Sequence, residues 1–187
     1  MSVLKIKSMT ITPQNIVHIV VMGVSGTGKT ELAHRLHHRT GFSFAEGDDL
    51  HPASNVQKMS AGNPLTDEDR APWLADIAAW ATEQAAQGKN TIITCSALKK
   101  QYRNALRTAP GRVIFLHLTG SKELIADRMT HRRGHFMPTT LLDSQLATLE
   151  PLEADELGFT LDITPPLDDI AYNAENTLTQ TYGVNFS

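Results

Sequence analysis

Two hydrophobic rhythms alternate along this chain. Residues 16–22, IVHIVVM, are apolar at nearly every position, the pattern of a strand buried on both faces. The next stretch, GKTELAHRLHHRT, has helical spacing and stops at Gly41. FSFAEG (42–47) reads as a second strand, followed by a short helical stretch carrying Lys58 and a turn, GNPLT. DEDRAPWLADIAAWATEQAAQ predicts a long helix with Thr66 as N-cap, acids in its first turn and an end near Gly88. Pro72 inside it predicts a kink or a later start. NTIITCS (90–96), RVIFLHL (112–118) and GFTLDI (158–163) are further strands. Helical KKQYRNALRTA, SKELIADRMTHR and LLDSQLATLE separate them, and LDDIAYNAENTLTQTY closes the pattern. RGHFMPTT breaks the rhythm between the second and third of those helices.

Strands alternating with helices, without repeats or low-complexity linkers, predict an α/β domain with a mostly parallel sheet. Ligands of such sheets bind beyond the carboxyl ends of the strands. That rule selects positions 23–30, 47–52, 96–103 and 119–120 before any chemistry is considered. Residues 16–187 read as one domain after an N-terminal extension, residues 1–15, which carries no assigned function. The extension lacks a continuous apolar stretch of signal length, and no run approaches the ~20 apolar residues of a membrane helix.

Composition narrows the class without naming a function. The 187 residues are 41% hydrophobic and 20% charged, enough for one sizeable core. A net charge of -3 gives no basic surface for nucleic acid. The single cysteine, Cys95, excludes an intrachain disulfide and a thiol-zinc cluster, and fits a reducing cytoplasm.

The chemistry begins right after the first strand. Gly23, Val24, Ser25, Gly26, Thr27, Gly28, Lys29 and Thr30 match G-x-x-x-x-G-K-[ST]. Glycines let successive N–H groups point into one concavity, Lys29 can reach terminal phosphates, and Thr30 can ligate Mg²⁺. The positive end of the following helix adds to the anion site. At ordinary residue usage, chance gives this pattern in roughly 0.7% of chains this long, so a nucleotide phosphate site is expected. The Asn-Lys-x-Asp base reader expected of a switch GTPase is absent. A motor, a transporter subunit and a small-molecule kinase share the loop; no strand ends in an apolar run plus Asp in the manner of a large ATPase, so metal assistance is expected from Thr30 and an acid near the second strand.

A kinase acting on a hydroxyl needs a carboxylate to orient it and accept its proton. EGDDLHP offers Asp48 and Asp49 at the mouth of the second strand; Asp48 is the first choice, and the bland alternative is an N-cap cluster. Arg128 and Arg132, four apart on one helical face with Arg133 beside them, can fold over phosphates, although cations at a helix C-terminus are also stabilising for dipole reasons alone. The segment 128–138 is therefore expected to be a lid. HRLHH has no partners at metal-ligand spacing, Trp73 and Trp80 read as core, and nothing argues for a reactive Cys95.

MGVSGTGKT, GDDLHPASNVQKMSAGNPLTDEDRAPWL, CSALKKQYRNALR and RRGHFMPTTLLDSQLATLEPLEADE together resemble the gluconate kinases, small relatives of shikimate and nucleoside-monophosphate kinases. The resemblance spans about Val20 to Glu156. It implies a three-layer P-loop NTPase α/β fold, a five-stranded parallel sheet ordered 2-3-1-4-5, and a helical lid. It implies ATP-dependent phosphorylation of D-gluconate to 6-phosphogluconate with Mg²⁺, commonly by a homodimer. Asp48 falls where the family's acceptor carboxylate sits, and Arg128 and Arg132 fall in the lid. Lys58, Ser96, Arg103 and His135 fall in blocks expected to line the gluconate side. The family often has Asp-Gly-Asp where this chain has Glu46-Gly47-Asp48, a departure that weakens a metal role for position 46.

If gluconate is the acceptor, its carboxylate needs a fixed cation, because an unpaired buried carboxylate is costly. Arg103 is the expected clamp, since a guanidinium engages both oxygens at once; Lys58 and His135 are the fallbacks. The residues alone support a P-loop kinase acting on a hydroxyl. They leave open another small hydroxy acid such as shikimate, or a nucleotide-binding module without turnover.

Overall fold

The computed structural model describes residues 15–131 and 139–186. Its five strands are β1 (Val17–Met22), β2 (Ser43–Glu46), β3 (Thr91–Thr94), β4 (Arg112–Thr119) and β5 (Gly158–Asp162). They form one parallel sheet in the order β2-β3-β1-β4-β5. β1 lies in the centre, with Val20 opposite Ile93 on one side and Phe115 on the other. Every residue of β1 is buried. Its odd positions, Val17, Ile19 and Val21, enter one core layer, and Val20 and Met22 enter the other. Side chains alternate across a strand, so a strand covered on both faces must be apolar throughout. The exception, His18, is satisfied inside: Thr91 Oγ1 lies 2.7 Å from Nδ1 and the Pro110 carbonyl 2.9 Å from Nε2.

The seven helices are α1 (Lys29–Thr40), α2 (Ala53–Ser60), α3 (Asp67–Ala86), α4 (Lys100–Leu106), α5 (Lys122–His131), α6 (Thr139–Thr148) and α7 (Leu167–Tyr182). Leu32 and Leu36 of α1, Ile125 and Met129 of α5, Leu142 of α6 and Leu178 of α7 share the first layer. Trp73, Leu74 and Ile77 of α3 share the second with Tyr102 and Leu106 of α4. The result is the expected three-layer α/β arrangement.

Pro72 neither breaks nor delays α3. The helix starts at Asp67 and runs through it for 20 residues. A full capping box starts it: Asp69 N–H donates to Thr66 Oγ1 at 3.2 Å, and the Thr66 N–H donates to the Asp69 carboxylate at 2.8 Å. Proline in the second turn removes one helical hydrogen bond, and burial of Trp73, Leu74, Ile77 and Ala78 offsets that loss.

Candidate active site

Three chain segments converge at the carboxyl ends of β1, β2 and β3. The first is the loop from Gly23 to Gly28, which leads into α1 with Gly28 as its N-cap at φ 90°. Gly26 has φ +83°, and an added Cβ would lie 2.5 Å from Met129 Cγ, so only glycine fits this turn. Gly23 N–H donates to the Ser96 carbonyl at 3.3 Å, tying the loop to the end of β3. Within the loop the Thr27 hydroxyl and Lys29 Nζ both donate to the Val24 carbonyl, at 2.8 and 3.2 Å. From the last turn of α5, Arg128 reaches over this region. Its Nη2 donates to the Ile163 carbonyl at 2.7 Å, and Nη1 lies 4.0 Å from the Cβ position of Gly28.

The second segment is β2 and the 3-10 turn Gly47–Leu50. Glu46, whose metal role the departure from Asp weakens in sequence, is placed against the phosphate loop by the structure. The Thr30 hydroxyl donates to Glu46 Oε2 at 2.9 Å, and the Thr94 hydroxyl donates to Oε1. A threonine that gives its proton to a carboxylate keeps its oxygen lone pairs for another partner. Hydroxyl and carboxylate oxygens are hard donors of the kind Mg²⁺ takes. Glu46 thus brings a carboxylate to this hydroxyl from the end of β2, two strands away from β1. Beside it, Gly47 is obligatory, since a Cβ there would sit 2.1 Å from the Thr94 carbonyl.

Asp48 follows immediately, with its side chain 80% exposed at the open end of the sheet. Asp49 is exposed as well. His51 stands behind Asp48, its Nε2 4.0 Å from Asp48 Oδ1. Its ring stacks on Trp73 at 4.0 Å between centroids, and Trp73 Nε1 donates to the Gly47 carbonyl at 2.7 Å. The Asn55 amide nitrogen lies 3.3 Å from His51 Nδ1 and also donates to the Asp69 carbonyl. An amide NH₂ can only donate, so Nδ1 accepts and Nε2 carries the proton facing Asp48. Burial pushes the imidazole below its ordinary pKa; the Asp48 carboxylate pulls the other way and the Arg70 charge adds to the fall. His51, Trp73 and Asn55 thus frame the Asp48 turn. The Trp73–Gly47 and Asn55–Asp69 contacts join residues 26 and 14 positions apart, which no consecutive motif spells out.

The third segment carries the cations. Lys58 Nζ lies 2.5 Å from Asp69, whose carboxyl is held down to about 2, first by Lys58 and then by the Thr66 N–H. Arg70 precedes Trp73 by one turn on the same helix face; its Nη1 donates to the Leu65 carbonyl at 2.7 Å and stands 3.8 Å from Asp67. Asp67 is likewise held to about 2, by Lys99 first, then Tyr102 and Gln101.

Arg103, the expected carboxylate clamp, is elsewhere. Its side chain is 0% exposed and grips Glu156, also 0% exposed. Nε and Nη2 form a fork on the two carboxylate oxygens at 2.6 and 2.9 Å. Nη1 donates to the carbonyls of Ala97, Leu98 and Glu150, and Nη2 to that of Pro151. Every guanidinium N–H has an acceptor inside the protein, and none is left for a substrate. Burial pushes the Glu156 carboxyl up, but the Arg103 hydrogen bond and the Glu153 N–H outweigh it and leave the pKa low. The residue type was read correctly as a carboxylate clamp, but the carboxylate belongs to the protein.

Of the remaining expectations, Ser96 is half-buried with its carbonyl on Gly23, while Arg132, Arg133 and His135 lie outside the described residues, as does most of the expected lid. Cys95 is buried, and burial pushes its thiol up to about 12. Among the described residues no group of three His, Cys, Asp or Glu is placed to hold a metal ion, and no helix is long and apolar enough to cross a membrane.

Residues 19–152 match the AAA domain family. The chain is 55% identical over 138 residues to a gluconokinase from Gluconobacter oxydans, covering 74% of this chain and 78% of that one. It is 47% identical over 137 residues to a thermosensitive gluconokinase from Escherichia coli, covering 73% of each. Among solved structures, a sugar kinase from Janibacter superposes with a TM-score of 0.83 at 50% identity, over 92% of this chain and 99% of that one. A gluconokinase from Sinorhizobium meliloti superposes with a TM-score of 0.71 at 41% identity, over 90% and 99%.

Proposed function

The chain belongs to the gluconokinase family, and from that membership we propose that it transfers the γ-phosphoryl group of ATP to D-gluconate, giving 6-phospho-D-gluconate. The observation that carries this reading is the arrangement at the end of β2. Glu46 holds the Thr30 hydroxyl of the phosphate loop, and two residues later Asp48 presents an exposed carboxylate. Metal-side and acceptor-side oxygens therefore issue from one strand end, adjacent as phosphoryl transfer requires.

In this reading the N–H groups of the loop and Lys29 bind the ATP phosphates. Thr30, with Glu46 behind it, would hold Mg²⁺, which would supply charge neutralisation at the phosphates. Asp48 orients the acceptor hydroxyl and takes its proton, while His51 stands behind it with Nε2 4.0 Å from its carboxylate. Arg128 adds positive charge over the loop. Arg132 and His135 complete the phosphate and acceptor sides on the family resemblance alone, as does Ser96. The substrate carboxylate falls to cations beside the Asp48 turn, which among the described residues are Lys58 and Arg70, each already sharing a carboxylate of α3. Residues 16–187 act as one kinase domain, and a cytoplasmic homodimer is part of the same proposal.

The test is ADP release in a coupled assay with gluconate, other sugar acids, shikimate, glucose and no acceptor. Gluconate should be preferred strongly over glucose, because only gluconate brings a carboxylate to those cations. Equal turnover of glucose and gluconate would remove the acceptor assignment. ADP release independent of every acceptor would leave only a nucleotide-binding module. Lys29→Ala should lower kcat on the order of 10²–10³-fold without unfolding the protein.

A further inference from the structure

The phosphate loop is braced from a direction that its motif does not contain. Gln145, in α6 and 120 positions from Ser25, meets that residue twice. Ser25 N–H donates to Gln145 Oε1 at 2.7 Å, and Gln145 Nε2 donates to Ser25 Oγ at 3.2 Å. This pairing requires both ends of a side-chain amide: an acceptor toward the backbone and a donor toward the hydroxyl.

Ser25 is the third residue of the loop and immediately precedes Gly26, where the chain turns at φ +83°. On the far side of that turn, Gly26 packs so tightly on Met129 and Ile125 that no Cβ fits. Within the loop, the Val24 carbonyl is held by Thr27 and Lys29. The Val24–Ser25 limb is thus fixed by its carbonyl from within the loop and by its next N–H from α6. The Ser25 N–H is committed to Gln145, so the donors that curve around an anion are those that follow it, Gly26 to Thr30.

We infer that Gln145 is a positioning residue for nucleotide binding: its amide holds Ser25 and so presets the curvature of the loop that receives the phosphates. Without the amide, the Ser25 N–H loses its acceptor and the loop samples more conformations. The nucleotide must then order the loop on binding, and affinity falls. Because diphosphate and triphosphate both use the loop, both should weaken together. This inference rests on the nucleotide-binding part of the proposed function and not on the identity of the acceptor.

The experiment uses the full chain and Gln145→Leu, a substitution of similar size without the amide. Calorimetric titration with Mg²⁺ present and gluconate absent gives Kd for ADP and for a non-hydrolysable ATP analogue. Kinetics at saturating ATP give the gluconate KM, and thermal melts monitor the fold. Both nucleotides should bind about 10-fold more weakly, the size of about 1.4 kcal/mol, with the gluconate KM within about twofold of the parent. Unchanged nucleotide affinity overturns the inference. So does a gluconate KM that rises as much as the nucleotide Kd, because Gln145 would then be a substrate contact or a general brace. Should Gln145→Leu fail to fold, Gln145→Met serves, an unbranched side chain of similar length that likewise offers no amide to Ser25. It too should weaken both nucleotides about 10-fold, and parental affinity for both overturns the inference. A parent that binds nucleotide yet transfers nothing to gluconate sinks the proposed function and leaves this inference standing. A parent that binds no nucleotide sinks both.

Discussion

Arg103→Met should unfold the protein at a much lower temperature and leave gluconate recognition alone. The substitution strips Glu156 of its bidentate partner in a place where neither side chain reaches solvent. It also orphans the carbonyls of Ala97, Leu98, Glu150 and Pro151, which accept from the two Nη atoms. Removing one partner of a buried ion pair costs about 3–5 kcal/mol, because the other charge stays behind in a dry site. For a domain of this size each kcal/mol corresponds to roughly 2–4 °C, so the midpoint should fall by about 6–20 °C. Arg103→Lys should fall nearly as far, since an ammonium cannot reproduce the fork. The double variant Arg103→Met/Glu156→Gln removes the stranded charge and keeps an acceptor for the Glu153 N–H at 2.9 Å. It should be more stable than the sum of its single variants by about 1–3 kcal/mol. Differential scanning calorimetry on the four proteins measures the cycle, and gluconate kinetics below the lowest midpoint measure the site. A near-parental midpoint for Arg103→Lys together with a gluconate KM raised tenfold would falsify the reasoning and return Arg103 to the substrate.

Asp48→Asn should lower kcat by about 10²–10⁴-fold while the KM for ATP stays within about twofold, since an amide keeps the shape but accepts no proton; full activity in Asp48→Asn with a dead Asp49→Asn would reverse the assignment within the pair. Glu46→Gln should raise the Mg²⁺ concentration needed for half-maximal activity by about 10–100-fold, the usual effect of removing a carboxylate behind a metal ligand; an unchanged Mg²⁺ titration rejects the metal role. Acid should destabilise the protein through Asp67 and Asp69, both held at about 2 in the folded state against an ordinary 3.8. A lowered folded pKa contributes stability that is present above the unfolded pKa and lost as pH falls through the folded one, so the loss lies between about pH 4 and pH 2. Melts of Asp67→Asn and Asp69→Asn should therefore decline less across that window than the parent; parallel declines would contradict the hydrogen-bonded assignment.

The residues that could be read from sequence are those whose meaning lies in consecutive positions. A β-branched run without alternation announces β1, and eight residues after it spell the phosphate loop, because the loop's N–H groups are neighbours along the chain. Thr66 with acids behind it announces the start of α3, although Pro72 obscured how far that helix would run. The strand order came from resemblance, since periodicity shows which segments are strands and not which are adjacent. Tertiary structure alone decided who partners whom. Glu46 meets the Thr30 hydroxyl because β2 ends level with the start of α1, although 16 residues separate them. Gln145 meets Ser25 across 120 residues, and Arg103 meets Glu156 across 53. An arginine after the third strand looks the same in sequence whether its guanidinium faces a pocket or the interior. Its role is set by which acceptors the fold carries to it, and a buried cation is stable only where the chain supplies a counter-charge and carbonyls to receive every donor.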